Sequence, residues 1–189
     1  FFDQANRLRV QNNPEGYATE IRYNALGNPS AQIRYATQAP VLGSTLAEAL
    51  ATLQALAKPS QDQLTLSDYN RLGQLTKTTD PLGNTEAYQY DAVGNLVEKL
   101  KKDGGGCTYL YDAAGRLTRE FSPSVALTLS AGSATTTEAR VQTDYSYDQL
   151  GNLTARTVGA GTAQARTTRS EYDPLGRVTK QTLEMKDQP

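Results

Sequence analysis

The side chains best placed to do chemistry in this sequence are aspartates that precede a glycine by three positions. Asp91, Asp112, Asp148 and Asp173 recur in the stretches YDAVGNL, YDAAGRL, YDQLGNL and YDPLGRV. Two such acids can hydrolyse a glycosidic bond when they stand about 5 to 10 Å apart in unlike environments. Here they occupy equivalent positions of one repeated motif, which argues for equivalent roles and against an acid/base division. The 189 residues contain no histidine, so the usual general base near neutral pH and the commonest metal ligand are both missing. Cys107, the single cysteine, has no imidazole to activate it and follows three glycines on what reads as an exposed bend. With one cysteine and no histidine a zinc site has almost no ligands, and no acid cluster matches a calcium loop. The stretch KKDGGGC lacks the ending of a phosphate-cradling P-loop. These readings set the expectation of a protein that is not an enzyme and that binds neither cofactor nor metal.

Composition narrows the partners. The 19 basic and 20 acidic residues nearly cancel, which leaves no basic surplus for nucleic acid or an anionic lipid surface. No apolar run approaches the roughly 20 residues needed to span a bilayer, and no charged-then-apolar leader opens the chain. The chain opens on FFDQ rather than on Met, which reads as a segment of a longer polypeptide with any targeting signal outside it. A lone cysteine cannot form an internal disulfide, so stability must come from packing and backbone pairing.

The spacing of the aspartates indicates what positions them. Tyr69, Tyr90 and Tyr111 follow one another at intervals of 21 residues, and Phe2 and Tyr23 repeat the interval in the degenerate copies FDQANRL and YNALGN. Asn6 takes the glycine position of the first copy, and asparagine is the residue other than glycine that best tolerates a left-handed backbone. A second turn signal lies half a period away, in NPEG at 13–16, DPLG at 80–83, KDGGG at 102–106 and the region 159–161. One turn every ten to twelve residues is the spacing of consecutive short antiparallel strands. In YDAVGNL, Asp91 can accept from nearby backbone amides, Ala92 and Val93 can take right-handed angles, and Gly94 can supply the positive φ that closes a bulged hairpin. Asp91 then faces Asn95 and Tyr90 faces Leu96, an aromatic–aliphatic pair worth about 0.2 to 1 kcal/mol. Tyr88 and Tyr109, each two residues ahead of a motif tyrosine, extend the same face. The predicted fold is all-β, with consecutive antiparallel β-hairpins forming one curved sheet over residues 1–189. Its structural turn motif is Tyr90, Asp91 and Gly94, with Tyr111, Asp112 and Gly115, Tyr147, Asp148 and Gly151, and Tyr172, Asp173 and Gly176.

Two stretches break the period. The first is a helical insertion at about 40–62, in which Leu46, Leu50, Leu53 and Leu56 share one helical face. Thr45 and Glu48 make a capping box and Pro59 marks the stop. This amphipathic helix near 45–58 is expected to pack its leucines onto the sheet, docking on a separate partner being the alternative. The second insertion, at about 122–142, is rich in Ser, Thr, Ala and Gly and lacks aromatics; it reads as an extended hairpin arm or a mobile loop.

The copies of YD-x-x-G-[NR]-L, with DPLGN half a period away, resemble the YD repeats of the Rhs family over most of the chain from residue 2 to 183, apart from the two insertions. Such repeats occur in bacterial Rhs polymorphic toxins, in the BC components of insecticidal toxin complexes and in animal teneurins. There they form a long β-sheet that spirals into a hollow shell, and the bacterial members enclose a toxic C-terminal polypeptide. The resemblance implies a section of shell wall that shields a toxic cargo for delivery to target cells. Its partners would be the remainder of the shell and the enclosed toxin, and its location would be secreted or delivered out of a bacterial cell. Nothing catalytic carries over, since the sequence shows no PAAR-like tip, no core motif tied to self-cleavage and no toxin domain. The alternative is a carbohydrate-binding module that recognises a cell-surface glycan through exposed tyrosines, whose rings can stack on sugars.

Overall fold

The computed structural model describes residues 1–39, 41–123, 125–128 and 136–185. Turns cut the chain into short strands, and chain neighbours pair antiparallel. Among the described residues thirteen strands form one sheet in chain order, and two more form a separate pair. The all-β expectation with one inserted helix holds. By its internal contacts the chain divides into two compact units, Phe1–Ala87 and Tyr88–Pro189.

The first unit begins with a bridge between Phe2 and Leu8 across the first turn. It continues through β1 (Val10–Asn12), β2 (Tyr17–Tyr23), β3 (Pro29–Gln38), α1 (Leu46–Leu56), β4 (Gln63–Tyr69), β5 (Leu75–Thr79) and the start of β6 (Thr85–Tyr90). Helix α1 forms where the leucine spacing places it. Thr45 Oγ1 accepts from the Glu48 N–H, and the Glu48 carboxylate accepts from the N–H groups of Thr45 and Ser44. That capping box satisfies amides the helix start would otherwise leave open, a contribution of about 1 kcal/mol. After the helix Asp62 fixes the return, its Oδ2 accepting from Lys58 N–H and its Oδ1 from Ala36 N–H on β3. Ala49 and Leu53 enter a core with Val10, Ala18, Tyr35, Ala39 and Leu42, and Leu46, Leu50 and Leu56 pack at its rim. The helix therefore docks on the sheet of its own unit. Strands β3 and β4 still pair directly, Ala31 opposite Leu66 and Ile33 opposite Leu64, so the excursion leaves the sheet unbroken.

A buried acid belongs to this layer. Glu20 accepts from Arg22 Nε at 2.8 Å and from the Tyr35 hydroxyl at 2.8 Å, with Arg9 at 3.8 Å. Burial pushes the Glu20 carboxyl up, and the hydrogen bonds from Arg22 and Tyr35 outweigh it and hold the group below its ordinary value. Burial, with the Glu20 carboxylate beside it, raises the Tyr35 phenol.

The second unit takes the end of β6 and continues through β7 (Leu96–Leu100), β8 (Gly106–Tyr111), β9 (Leu117–Phe121), β10 (Val125–Thr128), β11 (Thr136–Ala139), β12 (Gln142–Tyr147), β13 (Leu153–Val158), β14 (Arg166–Tyr172) and β15 (Val178–Met185). In the second insertion β10 pairs with β11, Val125 opposite Ala139. Residues 124 and 129–135 of that stretch lie outside the described residues. Strand β9 passes over the excursion and pairs with β12, Glu120 opposite Thr143. At the base of the arm Arg140 Nε donates to the Ser122 carbonyl and its NH2 to the Gly106 carbonyl, both at 2.8 Å.

Period-two alternation gives this unit unlike faces. On one, Tyr109 stands opposite Glu120, and the Tyr145 hydroxyl donates to the Glu120 carboxylate at 3.0 Å. The other carries ion pairs, Arg119 with Asp144 at 2.7 Å and Arg169 with Glu184 at 2.9 Å. One expectation is corrected here: Cys107 is not on an exposed bend but buried, the second residue of β8. The bend closes between Lys101 and Gly105, whose carbonyl accepts from the Lys101 N–H, so Gly106 already belongs to the strand.

Candidate functional site in the repeated turns

Each motif aspartate folds its own turn. The Asp112 N–H donates to the Arg116 carbonyl and the Gly115 N–H to the Asp112 carbonyl, each at 3.0 Å. Asp112 Oδ1 accepts from the N–H groups of Ala114 and Arg116, both at 2.9 Å, and Oδ2 accepts from Arg116 Nε at 2.7 Å. Asp91, Asp148 and Asp173 repeat the arrangement, and Asn95, Asn152 and Arg177 supply the side-chain donor to the second oxygen. Asn and Arg alternate after the glycine because both can present an N–H to that oxygen. These bonds favour the charged form. The backbone N–H and guanidinium of Arg116 hold the Asp112 carboxyl below its ordinary value, and the Asn95 side chain does the same for Asp91. Closing the turn requires positive φ at its fourth residue, 75° at Gly115, and in the first copy Asn6 takes it at 57°.

Beyond the turn, the register skips one residue on the outgoing strand. Leu110 is opposite Arg119 but Tyr111 is opposite Leu117, which leaves Thr118 unpaired. Its hydroxyl bonds back to the Leu110 carbonyl at 3.1 Å, and Thr154 does the same to Ser146 at 3.1 Å. The skip brings each tyrosine opposite the leucine position, as in Tyr147 with Leu153, Tyr69 with Leu75 and Tyr172 with Val178.

Five of the tyrosines then tie their turn to the one before. Tyr111 donates to the Leu96 carbonyl at 2.9 Å, Tyr147 to Leu117 at 2.9 Å, and Tyr172 to Leu153 at 2.8 Å. In the first unit Tyr23 donates likewise to Leu8 at 2.8 Å and Tyr69 to Pro29 at 3.1 Å. The residue after the glycine also reaches its neighbour. Arg116 lies over the Tyr147 ring at 5.0 Å and donates to the Asp148 carbonyl at 3.2 Å, and Arg7 lies over Tyr23 at 4.5 Å.

The half-period turns use the same backbone. Asp80 Oδ1 accepts from Leu82 and Asn84 N–H, and Asn13 Oδ1 from Glu15 and Tyr17 N–H. At 101–105 the fold survives with a lysine in the aspartate position: Gly104 N–H donates to the Lys101 carbonyl, and Asp103 accepts from Gly105 N–H instead.

Sequence reasoning placed the aspartates and glycines but missed two parts of the site, the side-chain donor at the Asn/Arg position and the skipped hydroxyl residue. The signal for the second was present, because Thr follows the leucine position at Thr76, Thr118, Thr154 and Thr179. Chemically the turns spend their carboxylates internally. Tyr109, beside Cys107, is pushed up to about 12, chiefly by burial and then by the Cys107 thiol and Glu120. No group of three or more potential metal ligands converges among the described residues, and no helix there is long and apolar enough to cross a membrane.

Residues 69–106, which hold two of these turns and the half-period turns at 80–84 and 101–105, match the family model described as RHS Repeat. Residues 69–106 carry the RHS repeat. Solved structures share its fold. The pore of the Photorhabdus luminescens Tc holotoxin is similar over 95% of this chain, at a TM-score of 0.64 and 22% identity. The crystal structure of TcdB2-TccC3 is similar over 89% of it, at 0.60 and 22%, and the form without the hypervariable C-terminal region over 89%, at 0.62 and 22%. The chain spans 8% of the length of each of those chains. No curated protein matches the sequence. The repeated turn is thus a unit of sheet construction, closed by its Asp or Asn and, at Tyr23, Tyr69, Tyr111, Tyr147 and Tyr172, fastened to the preceding turn by its tyrosine.

Proposed function

We propose that this chain is a section of the wall of an RHS-type shell that encloses and shields a toxic C-terminal polypeptide until delivery to a target cell, and that it acts without catalysis. The observation that carries this reading is the clamp from the motif tyrosines Tyr111, Tyr147 and Tyr172 to the preceding turn, repeated along the second unit as increments of wall. Tyr90, Asp91 and Gly94 and their counterparts in the other copies are, on this reading, architecture. The structural likeness to toxin assemblies that pair TcdB2 with TccC3 supports it. The partners are the rest of the shell and its enclosed polypeptide, and the location is outside the producing bacterial cell.

The test is protease protection in the natural polypeptide that contains residues 1–189. The enclosed segment should resist digestion, and Gly151→Pro with Tyr111→Ser should expose it. Digestion of that segment at the rate of the free cargo, with the wall intact, would sink the proposal.

A second reading, recognition of a cell-surface glycan, draws support from a cleft of about 600 Å³ in the second unit, where Tyr109 and Tyr111 stand beside Asp91, Asn95 and Asp112. Tyr111 spends its hydroxyl on Leu96, which leaves Tyr109 as the ring to watch in a glycan titration by NMR. Unmoved Tyr109 resonances across a glycan panel would remove this reading.

A further inference from the structure

We infer that Asp103 is a site of spontaneous isoaspartate formation, a covalent ageing of the turn between β7 and β8 that loosens the root of the β10–β11 arm. Asp103 is the one aspartate in the sequence that a glycine follows, and no asparagine is followed by glycine. The reaction brings the backbone nitrogen of the next residue onto the side-chain carboxyl carbon, and a β-carbon on that next residue obstructs the approach. Gly104 has none, and nothing beyond its chain neighbours lies within 4 Å of where one would sit. Lys102, Asp103 and Gly104 are all exposed at the tip of the turn.

The motif aspartates are protected twice. Ala92, Ala113, Gln149 and Pro174 follow Asp91, Asp112, Asp148 and Asp173, and a proline has no N–H to give. Their carboxylates are also held. Asp112 accepts from the N–H groups of Ala114 and Arg116 and from Arg116 Nε, whereas among the described residues Asp103 accepts from the Gly105 N–H alone, at 2.9 Å. That single bond closes a ring around the Gly104 peptide unit, which keeps the carboxyl beside the nitrogen it must meet. The Gly104 N–H donates to the Lys101 carbonyl at 3.0 Å, so the nitrogen is released when the tip opens, and an exposed tip opens at little cost.

The step balances with water alone. The Gly104 nitrogen bonds to Asp103 Cγ and gives up its proton, a carboxyl oxygen leaves as water, and a cyclic succinimide results. Water then adds back. Opening between the nitrogen and Cγ restores aspartate; opening between the nitrogen and the Asp103 backbone carbonyl carbon routes the main chain through Cβ and Cγ and frees an α-carboxylate.

The β-linked product adds a methylene to the main chain of a tight turn. It displaces the acceptor of the Gly105 N–H and disturbs the spacing at which the Lys101 N–H meets the Gly105 carbonyl, 2.8 Å. Gly105 is where the turn meets the arm, since a β-carbon there would fall 2.9 Å from Pro123 Cβ. Beside it Arg140 holds the Gly106 carbonyl. Loosening should therefore reach the pair that closes the arm's root, Ser122 N–H to the Val141 carbonyl and Val141 N–H to Ser122 Oγ.

The 189-residue chain, kept for weeks at body temperature and neutral pH and then digested with trypsin, tests this. The peptide Asp103–Arg116 holds both Asp103 and Asp112, so it carries its own control. A second peak of equal mass should accumulate, label with an isoaspartyl methyltransferase, and show its β-linkage at 103 and not at 112. Asp103→Glu should abolish it, and Gly104→Ala should slow it at least about tenfold. Hydrogen exchange of the aged chain should quicken at Ser122 and Val141 and stay unchanged in β14 and β15. A peptide that stays single in the folded chain while the same peptide converts when free, or β-linkage equally at Asp112, would overturn the site. Unchanged exchange at Ser122 and Val141 in the converted chain would overturn the loosening.

Discussion

The Tyr111 hydroxyl donates to the Leu96 carbonyl at 2.9 Å, and the Tyr147 hydroxyl donates to the Leu117 carbonyl at the same distance although 30 residues separate that pair against 15 in the first. Strand neighbourhood, not chain separation, sets the bond. Tyr111→Phe keeps the ring and removes only the donor, so it should cost about 1 kcal/mol. The check is urea unfolding, with a lower midpoint and an unchanged slope. A parental midpoint would mean that the bond contributes nothing.

Gly151 has φ 87° and nothing within 4 Å of where a β-carbon would sit. Substitution there meets backbone strain without a packing clash. Gly151→Ala should lose about 1 to 2 kcal/mol, and Gly151→Asn less, because asparagine tolerates the left-handed region. Thermal melts of the two variants beside the parent give the order; equal losses would place the cost elsewhere.

Acid should loosen the sheet through the turns. Asp3, Asp91, Asp112, Asp148 and Asp173 are all held below the usual aspartate value by hydrogen bonds within their turns. A group whose folded value is depressed contributes stability that is present above the unfolded value, near 3.9, and lost as pH falls through the folded one. The part of stability owed to these groups should therefore be flat above about pH 5 and decline below about pH 4. Asp112→Asn with Asp148→Asn should lower stability at pH 7 and shrink the difference between pH 7 and pH 3. Denaturant titrations at the two pH values decide it, and parental protein equally stable at both would refute the account.

Leu53 is fully buried between helix and sheet. Leu53→Ala should cost about 2 to 5 kcal/mol, depending on how far the layer collapses into the space. Hydrogen exchange should report it first in the amides of α1. Uniform loss of protection across β12 to β15 instead would mean that the helix is not a local unit.

The repeat made much of this legible beforehand, because the turn chemistry is local. Asp91 and Gly94 lie within four residues, as do Thr45 and Glu48 of the capping box, so their contacts follow from spacing; the Asn95 side-chain donor is equally local but was missed, because Asn and Arg share that position and only the ability to present an N–H unites them. What lay beyond reach depended on neighbours across the sheet. The destination of the Tyr111 hydroxyl requires knowing which strand lies beside β8, and the recurring Thr after the leucine position, although visible in the sequence, takes its meaning at Thr118 only from the register. Cys107 was misplaced for a related reason: three consecutive glycines look like one bend, yet Gly104 alone takes positive φ, at 82°, and the chain is back in a strand by Gly106. The buried Glu20 carried no sequence signal, since its partners Arg9, Arg22 and Tyr35 come from three separate segments.

Strands β3 and β4 pair as though the helix between them were absent, and β9 and β12 pair as though the arm were. These bends act as permissive splice points, where added sequence costs only the slow logarithmic penalty of a longer loop, about 0.6 kcal/mol for each doubling. A lineage building on this scaffold can mount new appendages at such points without rewriting the rows on either side.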